Sequence, residues 1–174
     1  MVEACQAREI DVRSLDAGNY EMFPYSVKVS ADRQEITVNR KKVPTARPSW
    51  FADYIKKNQE KLNKASFNED SFAKELADAY QTALAVSGKP EGTAIALTTI
   101  YKYLAPTARA RKEYDLMNFS YDIARLYNKH YDHLKDGSSL ILGPAKKIKP
   151  IRILDSNGRE QLLATLAIFK DHLA

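Results

Sequence analysis

Residues 25–43 contain two short runs in which apolar residues alternate with polar ones, separated by a turn signal at Ala31-Asp32. This period of two predicts a β-hairpin. The alternating apolar residues are Val27, Val29, Ile36 and Val38. Residues 1–20 are polar and show little periodicity. We therefore expect an N-terminal arm over residues 1–20, followed by a single α+β domain over residues 21–174.

Helical spacing of apolar residues takes over after Pro48. The first predicted helix follows Pro48, with Ser49 as its N-cap. A second predicted helix opens at Ser66, where Glu69 three positions later completes a capping-box pattern, and ends at Gly88. The apolar positions of these two helices are Phe51, Tyr54, Ile55 and Leu62 in the first and Phe72, Leu76, Ala79, Tyr80 and Leu84 in the second.

Residues 93–104 fit two patterns, because their threonines and isoleucines favour a strand whereas Leu97, Ile100 and Leu104 fit one face of a helix. We interpret this stretch as a helix. The spacing of apolar residues over 106–130 predicts one long amphipathic helix that starts at Pro106. Its apolar residues, spaced by three and four, are Leu116, Phe119, Ile123, Leu126 and Tyr127.

The C-terminal part returns to strand-like runs. Asn157-Gly158 lies between two apolar runs, and both residues tolerate the positive φ of a tight turn. The expected fold is α+β: a mostly helical body of about four helices, an N-terminal β-hairpin, and a C-terminal β-hairpin or three-stranded antiparallel meander. This order of elements is also compatible with a winged helix.

Composition places the chain among globular proteins, since 44% of its 174 residues are hydrophobic and 28% are charged. Cys5 is the only cysteine, so no intramolecular disulfide can form. The first residues carry scattered charges instead of the apolar core of a signal peptide, and no stretch reaches the length of a membrane span. We expect a cytoplasmic protein with no membrane association.

The formal net charge is +5, but residues 101–152 alone hold 11 basic and 5 acidic residues, a net charge of +6. Basic residues cluster at 40–42, 109–112 and 146–152. Such clusters bind phosphate backbones when they share a face. We therefore predict a non-enzymatic protein that binds nucleic acid, either DNA or RNA. The residues predicted to contact phosphates are Arg109, Arg111, Lys112, Lys146, Lys147, Lys149 and Arg152.

Two other interpretations stay open. Arg109 and Arg111 at the start of a long helix would oppose its macrodipole at about 0.3 to 1 kcal/mol each. Either an anionic partner or the nearby Glu113 or Asp115 would compensate, and in the second case the cations are only a solvated surface. The alternative function is a non-catalytic protein-interaction subunit of a larger complex, with a protein partner or a second copy of the chain.

Catalytic and metal signatures are weak. The chain has no nucleophile elbow, glycine-rich phosphate loop or dinucleotide fingerprint. His130 and His133 are spaced to share a metal, but the remaining histidine is His172, far along the chain. Asp155 and Glu160 could form an acidic site, although a hairpin turn requires the same residue types. We expect no catalytic residue, metal or cofactor.

Six of the ten tyrosines lie in the basic segment, and rings mixed with cations suit stacking on unpaired bases: Tyr101, Tyr103, Tyr114, Tyr121, Tyr127 and Tyr131. Helical spacing assigns several of these rings to the core. The tyrosines that we expect to be at least partly exposed are Tyr103, Tyr114, Tyr121 and Tyr131.

Overall fold

The computed structural model describes residues 1–44 and 46–170, which form six helices and ten strands. The helices are α1 (Val2–Gln6), α2 (Pro48–Lys64), α3 (Glu69–Ser87), α4 (Leu97–Leu104), α5 (Ala108–Glu113) and α6 (Leu116–Asn128). The strands are β1 (Arg13–Asp16), β2 (Asn19–Met22), β3 (Tyr25–Ser30), β4 (Glu35–Val38), β5 (Lys41–Lys42), β6 (Ile95–Ala96), β7 (Ser138–Gly143), β8 (Ile151–Leu154), β9 (Glu160–Leu163) and β10 (Thr165–Lys170). The chain is an α+β protein, but the predicted mostly helical body of about four helices is wrong, because the strands build three sheets.

The chain forms two compact units, Met1–Phe67 and Asn68–Ala174. The N-terminal unit contains an antiparallel sheet in the order β1-β2-β3-β4-β5, so each strand pairs with its neighbour in sequence. The predicted hairpin is confirmed as β3 and β4, with Val27 opposite Val38 and Val29 opposite Ile36. The sheet is larger than predicted because β2 extends it on one side and β5 on the other.

Helix α2 supplies one side of the core of the N-terminal unit. Phe51, Ala52 and Ile55 are buried on one face of α2 and join a single apolar cluster with residues of the sheet. The helix begins at Pro48, whose missing N–H is tolerated in the first turn, and Arg47 is the N-cap. The predicted cap at Ser49 is therefore wrong, because Ser49 already lies inside the helix.

Helix α3 forms the centre of the C-terminal unit and packs against α4, α6 and β10. Its N-cap is Asn68, whose side-chain oxygen accepts a hydrogen bond from the N–H of Ser71 at 3.0 Å. The predicted capping box at Ser66 is wrong, since the helix starts three residues later. The predicted stop at Gly88 is confirmed, because Gly88 adopts the left-handed conformation at φ 64°.

The predicted helix over residues 106–130 is interrupted at Tyr114, so the stretch forms α5 and α6 instead of one helix. Two side-chain caps cause the division. Thr107 accepts a hydrogen bond from the N–H of Ala110 at 3.0 Å, and Asp115 accepts one from the N–H of Asn118 at 2.8 Å. A cap at Asp115 starts a new helix, because it satisfies N–H groups that a continuous helix would bond internally.

The strands of the C-terminal unit form two sheets, one in the order β6-β10-β7 and the other containing β8 and β9. The predicted hairpin at Asn157-Gly158 is confirmed as β8 and β9, and Gly158 has a φ of 76°. A three-stranded meander is wrong, because β7 pairs with β10 along its whole length. The winged-helix interpretation fails as well, since α5 buries none of its residues. In the described ranges, no helix is long and apolar enough to cross a membrane.

Candidate nucleic-acid interface

Three of the predicted phosphate contacts lie on α5. Arg109, Arg111 and Lys112 are exposed on this helix, and no residue of α5 is buried. Arg111 and Lys112 occupy the last turn of α5, where a cation is favoured by the macrodipole. The expectation that Arg111 opposes the dipole of a long helix is therefore wrong, because the helix is shorter than predicted and Arg111 lies near its end.

The connector between β7 and β8, residues 144–150, carries three further predicted contacts. Lys146, Lys147 and Lys149 are exposed, whereas Ile148 is half-buried. Within the described ranges, none of the three lysines forms an ion pair with a carboxylate. Their charge is therefore available to an anionic partner at close range.

Arg152 differs from the other predicted contacts. It lies on β8, and its Nε atom is 2.6 Å from Oε2 of Glu160 on β9. The Arg152 side chain is only 9% exposed. Because a carboxylate already offsets its charge, Arg152 is the weakest of the seven candidates for a phosphate contact.

Ile148 brings the connector to a groove on the surface of the C-terminal unit. The groove has a volume of about 270 Å³ and is lined by residues from the end of α3, from β6, from α4 and from the connector. Val86, Ile95 and Tyr103 supply apolar and aromatic surface, and Lys89 is the charged residue in the lining. The lysines on either side of Ile148 in the chain are exposed, so the segment that reaches this groove is cationic. Sequence reasoning missed this groove because its walls come from four separate elements.

Tyr103, Tyr114, Tyr121 and Tyr131 are all half-buried, as expected. Tyr103 lines the groove. The other three rings are engaged elsewhere. Tyr114 and Tyr131 donate to Asp122 and Asp70, both at 2.6 Å, and the guanidinium of Arg125 lies 4.6 Å from the centre of the Tyr121 ring. Tyr103 is therefore the one of the four best placed to meet a ligand in this groove.

The junction of α5 and α6 is held by a network of buried polar groups. Tyr114 Oη donates to Asp122 Oδ2 at 2.6 Å, and Tyr101 Oη donates to the carbonyl of Tyr114 at 2.8 Å. Burial raises the pKa of the Asp122 carboxyl, although the Tyr114 hydroxyl and the Arg125 guanidinium oppose this effect. Burial, together with the hydrogen bond to Asp122, also raises the pKa of Tyr114. This network positions the end of α5 and the cations on it.

The other candidate chemistry does not assemble into a site. In the part of the chain that the structure describes, no group of three or more histidine, cysteine or acidic residues could hold a metal ion. His172 lies outside the described residues. Asp155 accepts hydrogen bonds from the N–H groups of Asn157 and Arg159, both at 2.9 Å, so its carboxylate serves the hairpin turn. Glu160 pairs with Arg152, as described above.

Two predictions for the N-terminal unit need adjustment. Cys5, expected in an irregular segment, lies buried on α1, and burial raises the pKa of its thiol. The basic cluster at 40–42 is partly neutralised, because Lys42 Nζ lies 2.6 Å from Oε1 of Glu35. This cluster therefore offers less free charge than the sequence indicates.

Comparisons with protein-family models, with curated protein sequences and with solved structures find no significant match to this chain.

Proposed function

We propose that the protein binds nucleic acid through α5 and the connector between β7 and β8. The observation that carries this proposal is the groove lined by Tyr103, Lys89 and Ile148, because Ile148 lies in the chain between the exposed Lys147 and Lys149. Cations neutralise phosphates, and an aromatic ring offers a surface for a base. Phosphate contacts of this kind position a nucleic acid without reading its sequence.

The test is a binding series with labelled single-stranded DNA, duplex DNA and RNA across salt concentrations. The logarithm of the binding constant falls linearly with the logarithm of the salt concentration. Each phosphate contact adds about 0.7 to the steepness of this line for a single strand and about 0.9 for a duplex. The triple variant Lys146→Ala/Lys147→Ala/Lys149→Ala should therefore lower the slope by about 2 for a single strand and by nearly 3 for a duplex. Arg109→Ala/Arg111→Ala/Lys112→Ala should have a similar effect if α5 contacts the same nucleic acid.

A matched control removes three lysines that already pair with carboxylates. Lys42, Lys129 and Lys135 pair with Glu35, Glu69 and Asp70 respectively. Their triple alanine variant loses the same formal charge, but we expect its slope to change by less than that of the connector variant. Equal slopes for the two triple variants would mean that net charge alone drives binding. The absence of binding to all three nucleic acids at low salt would refute the proposal.

One observation favours the second candidate function, a protein-interaction subunit. Strand β7 lies at the edge of its sheet, and Ile141 on this strand is 51% exposed. The N–H of Leu140 points away from β10 and donates to the carbonyl of Asp132. Backbone groups alternate in direction along a strand, so the N–H and C=O of Leu142 also point away from β10. A groove of about 300 Å³ lined by Leu126, Tyr127 and Leu142 lies beside this edge.

Residues 138–140 of this edge already bond to residues 132–134, so a strand from another protein or from a second copy would pair beyond them, at Leu142. Sedimentation of the purified chain over a concentration series tests the second of these cases. Self-association that disappears in Ile141→Lys would support pairing through β7. A monomer at all concentrations would leave the nucleic-acid proposal as the better one, and Ile141→Lys then provides a control that should bind nucleic acid normally.

A further inference from the structure

One side of α2 carries a row of aromatic and basic residues, all exposed except Tyr54, which is half-buried against the core of the N-terminal unit. Trp50, Tyr54, Lys57, Lys61 and Lys64 follow one another at spacings of four, three, four and three. At 100° per residue these five positions fall within an arc of about 80°. We call this row the α2 stripe. It lies on a different side of the helix from the buried Phe51, Ala52 and Ile55.

The aromatic end of the α2 stripe is a stacked pair of rings. The ring centres of Trp50 and Tyr54 are 5.3 Å apart, and their planes differ by 14°. Trp50 is nevertheless 37% exposed, although it is the largest apolar side chain of the helix. Aromatic rings prefer stacked neighbours, so a further planar ring can extend this pair towards solvent.

The rest of the α2 stripe is cationic. Lys57, Lys61 and Lys64 are exposed, and none of them forms an ion pair within the described ranges. The two acidic residues of α2 lie four positions before a lysine of the stripe, but neither pairs with it. Asp53, before Lys57, is paired with Arg8 at 2.6 Å, and Glu60, before Lys64, forms no ion pair within the described ranges. The stripe as a whole extends about 21 Å along the helix.

We propose that the α2 stripe binds single-stranded nucleic acid, with one base stacked on Trp50 and the phosphates following the three lysines. A base can add to the ring pair only when it is unpaired, so a duplex would use the lysines alone. A lipid surface would need apolar side chains along the whole face, whereas here they occupy only one end. This inference rests on the proposed function, since both assume a nucleic-acid partner, but it uses residues of the N-terminal unit and can fail separately.

The only tryptophan of the chain lies in the α2 stripe, so its emission reports directly on this surface. Oligothymidine should quench Trp50 emission by stacking, whereas a duplex of equal length or polyphosphate should bind with little quenching. Fluorescence anisotropy of labelled oligothymidine, recorded in parallel, measures total binding. Binding without preferential quenching by the single strand would overturn the inference and leave the proposed function intact. No binding of oligothymidine in either measurement would overturn the inference, and the proposed function would fall with it only if duplex DNA and RNA also do not bind at low salt.

Variants separate stacking from charge. Truncation of one stacking ring typically costs 1 to 3 kcal/mol, so Trp50→Ala should weaken oligothymidine binding roughly 5- to 150-fold, while Trp50→Phe should retain most of the affinity. Lys57→Ala/Lys61→Ala/Lys64→Ala should weaken it and lower the salt slope by about 2, unlike the Lys42, Lys129 and Lys135 control. Full affinity in Trp50→Ala would refute the stacking contact. A blue shift with anionic phospholipid vesicles, without quenching by oligothymidine, would assign the stripe to a membrane surface and overturn the inference.

Discussion

The hydrogen bond between Tyr114 and Asp122 offers a sharp test of how the α5–α6 junction is held. Tyr114→Phe removes only the hydroxyl, which donates to Asp122 Oδ2 at 2.6 Å. The hydrogen bond from Tyr101 goes to the backbone carbonyl of residue 114 and is unaffected by the change. The Asp122 side chain is only 20% exposed, so water replaces the lost donor poorly. A hydrogen bond to a charged group contributes about 1.5 to 3 kcal/mol, and we expect a loss near 2 kcal/mol at neutral pH.

The loss should depend on pH in a defined direction. The folded-state pKa of Asp122 lies above its ordinary value of 3.8, so the unfolded chain releases this proton at a lower pH than the folded chain. The stability that Asp122 contributes is therefore present below pH 3.8 and is lost as the pH rises through its folded pKa. Tyr114→Phe removes an interaction that lowers this pKa, so the folded pKa rises further. The variant should lose more stability at pH 7.5 than at pH 4.

Urea unfolding followed by far-ultraviolet circular dichroism measures this difference, because Trp50 lies in the other unit and would not report on it. Asp122→Asn and the double variant complete a mutant cycle that isolates the coupling between the two side chains. A Tyr114→Phe variant within about 0.5 kcal/mol of the natural chain at pH 7.5 would refute the reasoning, because neutral surface substitutions have effects of this size. A stability deficit that grows towards pH 4 would refute it as well.

Two further substitutions test local backbone requirements. Gly18→Ala should destabilise the N-terminal unit by about 2 kcal/mol, because Gly18 has a φ of 82° and an added Cβ would lie 2.6 Å from the carbonyl oxygen of Val29. Trp50 emission during urea unfolding measures this, and full stability would contradict the close approach. Asn68→Ala should cost about 1 kcal/mol by removing the cap of α3, while Ser66→Ala should be neutral. Circular dichroism compares the pair, and the opposite order would restore Ser66 as the cap.

Local patterns in the sequence predict elements whose residues are periodically buried. The β3–β4 hairpin is of this kind, because Val27, Ile36 and Val38 are buried in alternation with less buried neighbours. Strand β1 has no such signal, since all four of its residues are exposed and only its pairing with β2 makes it a strand. The pairing of strands that are far apart in the sequence cannot be predicted from local patterns either. Residues 138–143 could extend the adjacent hairpin or pair with β10, and only packing decides between them.

The candidate site was predictable in part. The basic positions on α5 and in the connector can be read from composition, but the contact of Ile148 with a groove formed by α3, β6 and α4 depends on tertiary packing. The ion pair of Arg152 depends on the register of the hairpin. A two-residue turn at Asn157-Gly158 would pair residue 152 with 163 and place Glu160 on the opposite face. The observed pairing of 152 with 162 and of 154 with 160 instead makes Arg152 and Glu160 diagonal neighbours on one face, so sequence reasoning alone would not have found this ion pair.

The ion pairs of the structure show better than the net charge which basic residues are available to bind nucleic acid. A chain with 27 basic and 22 acidic residues has only a small excess charge, and much of its local field cancels. Arg8, Lys42, Lys129 and Arg152 each lie close to a carboxylate. The lysines of the connector and of the α2 stripe have no such partner within the described ranges. The connector also contains Ile148, which lines a groove with Tyr103, and the α2 stripe includes Trp50 and Tyr54. A carboxylate beside a cation cancels much of the attraction that the cation exerts on a phosphate. The affinity for nucleic acid should therefore depend on the lysines without a carboxylate partner and not on the total charge of the chain.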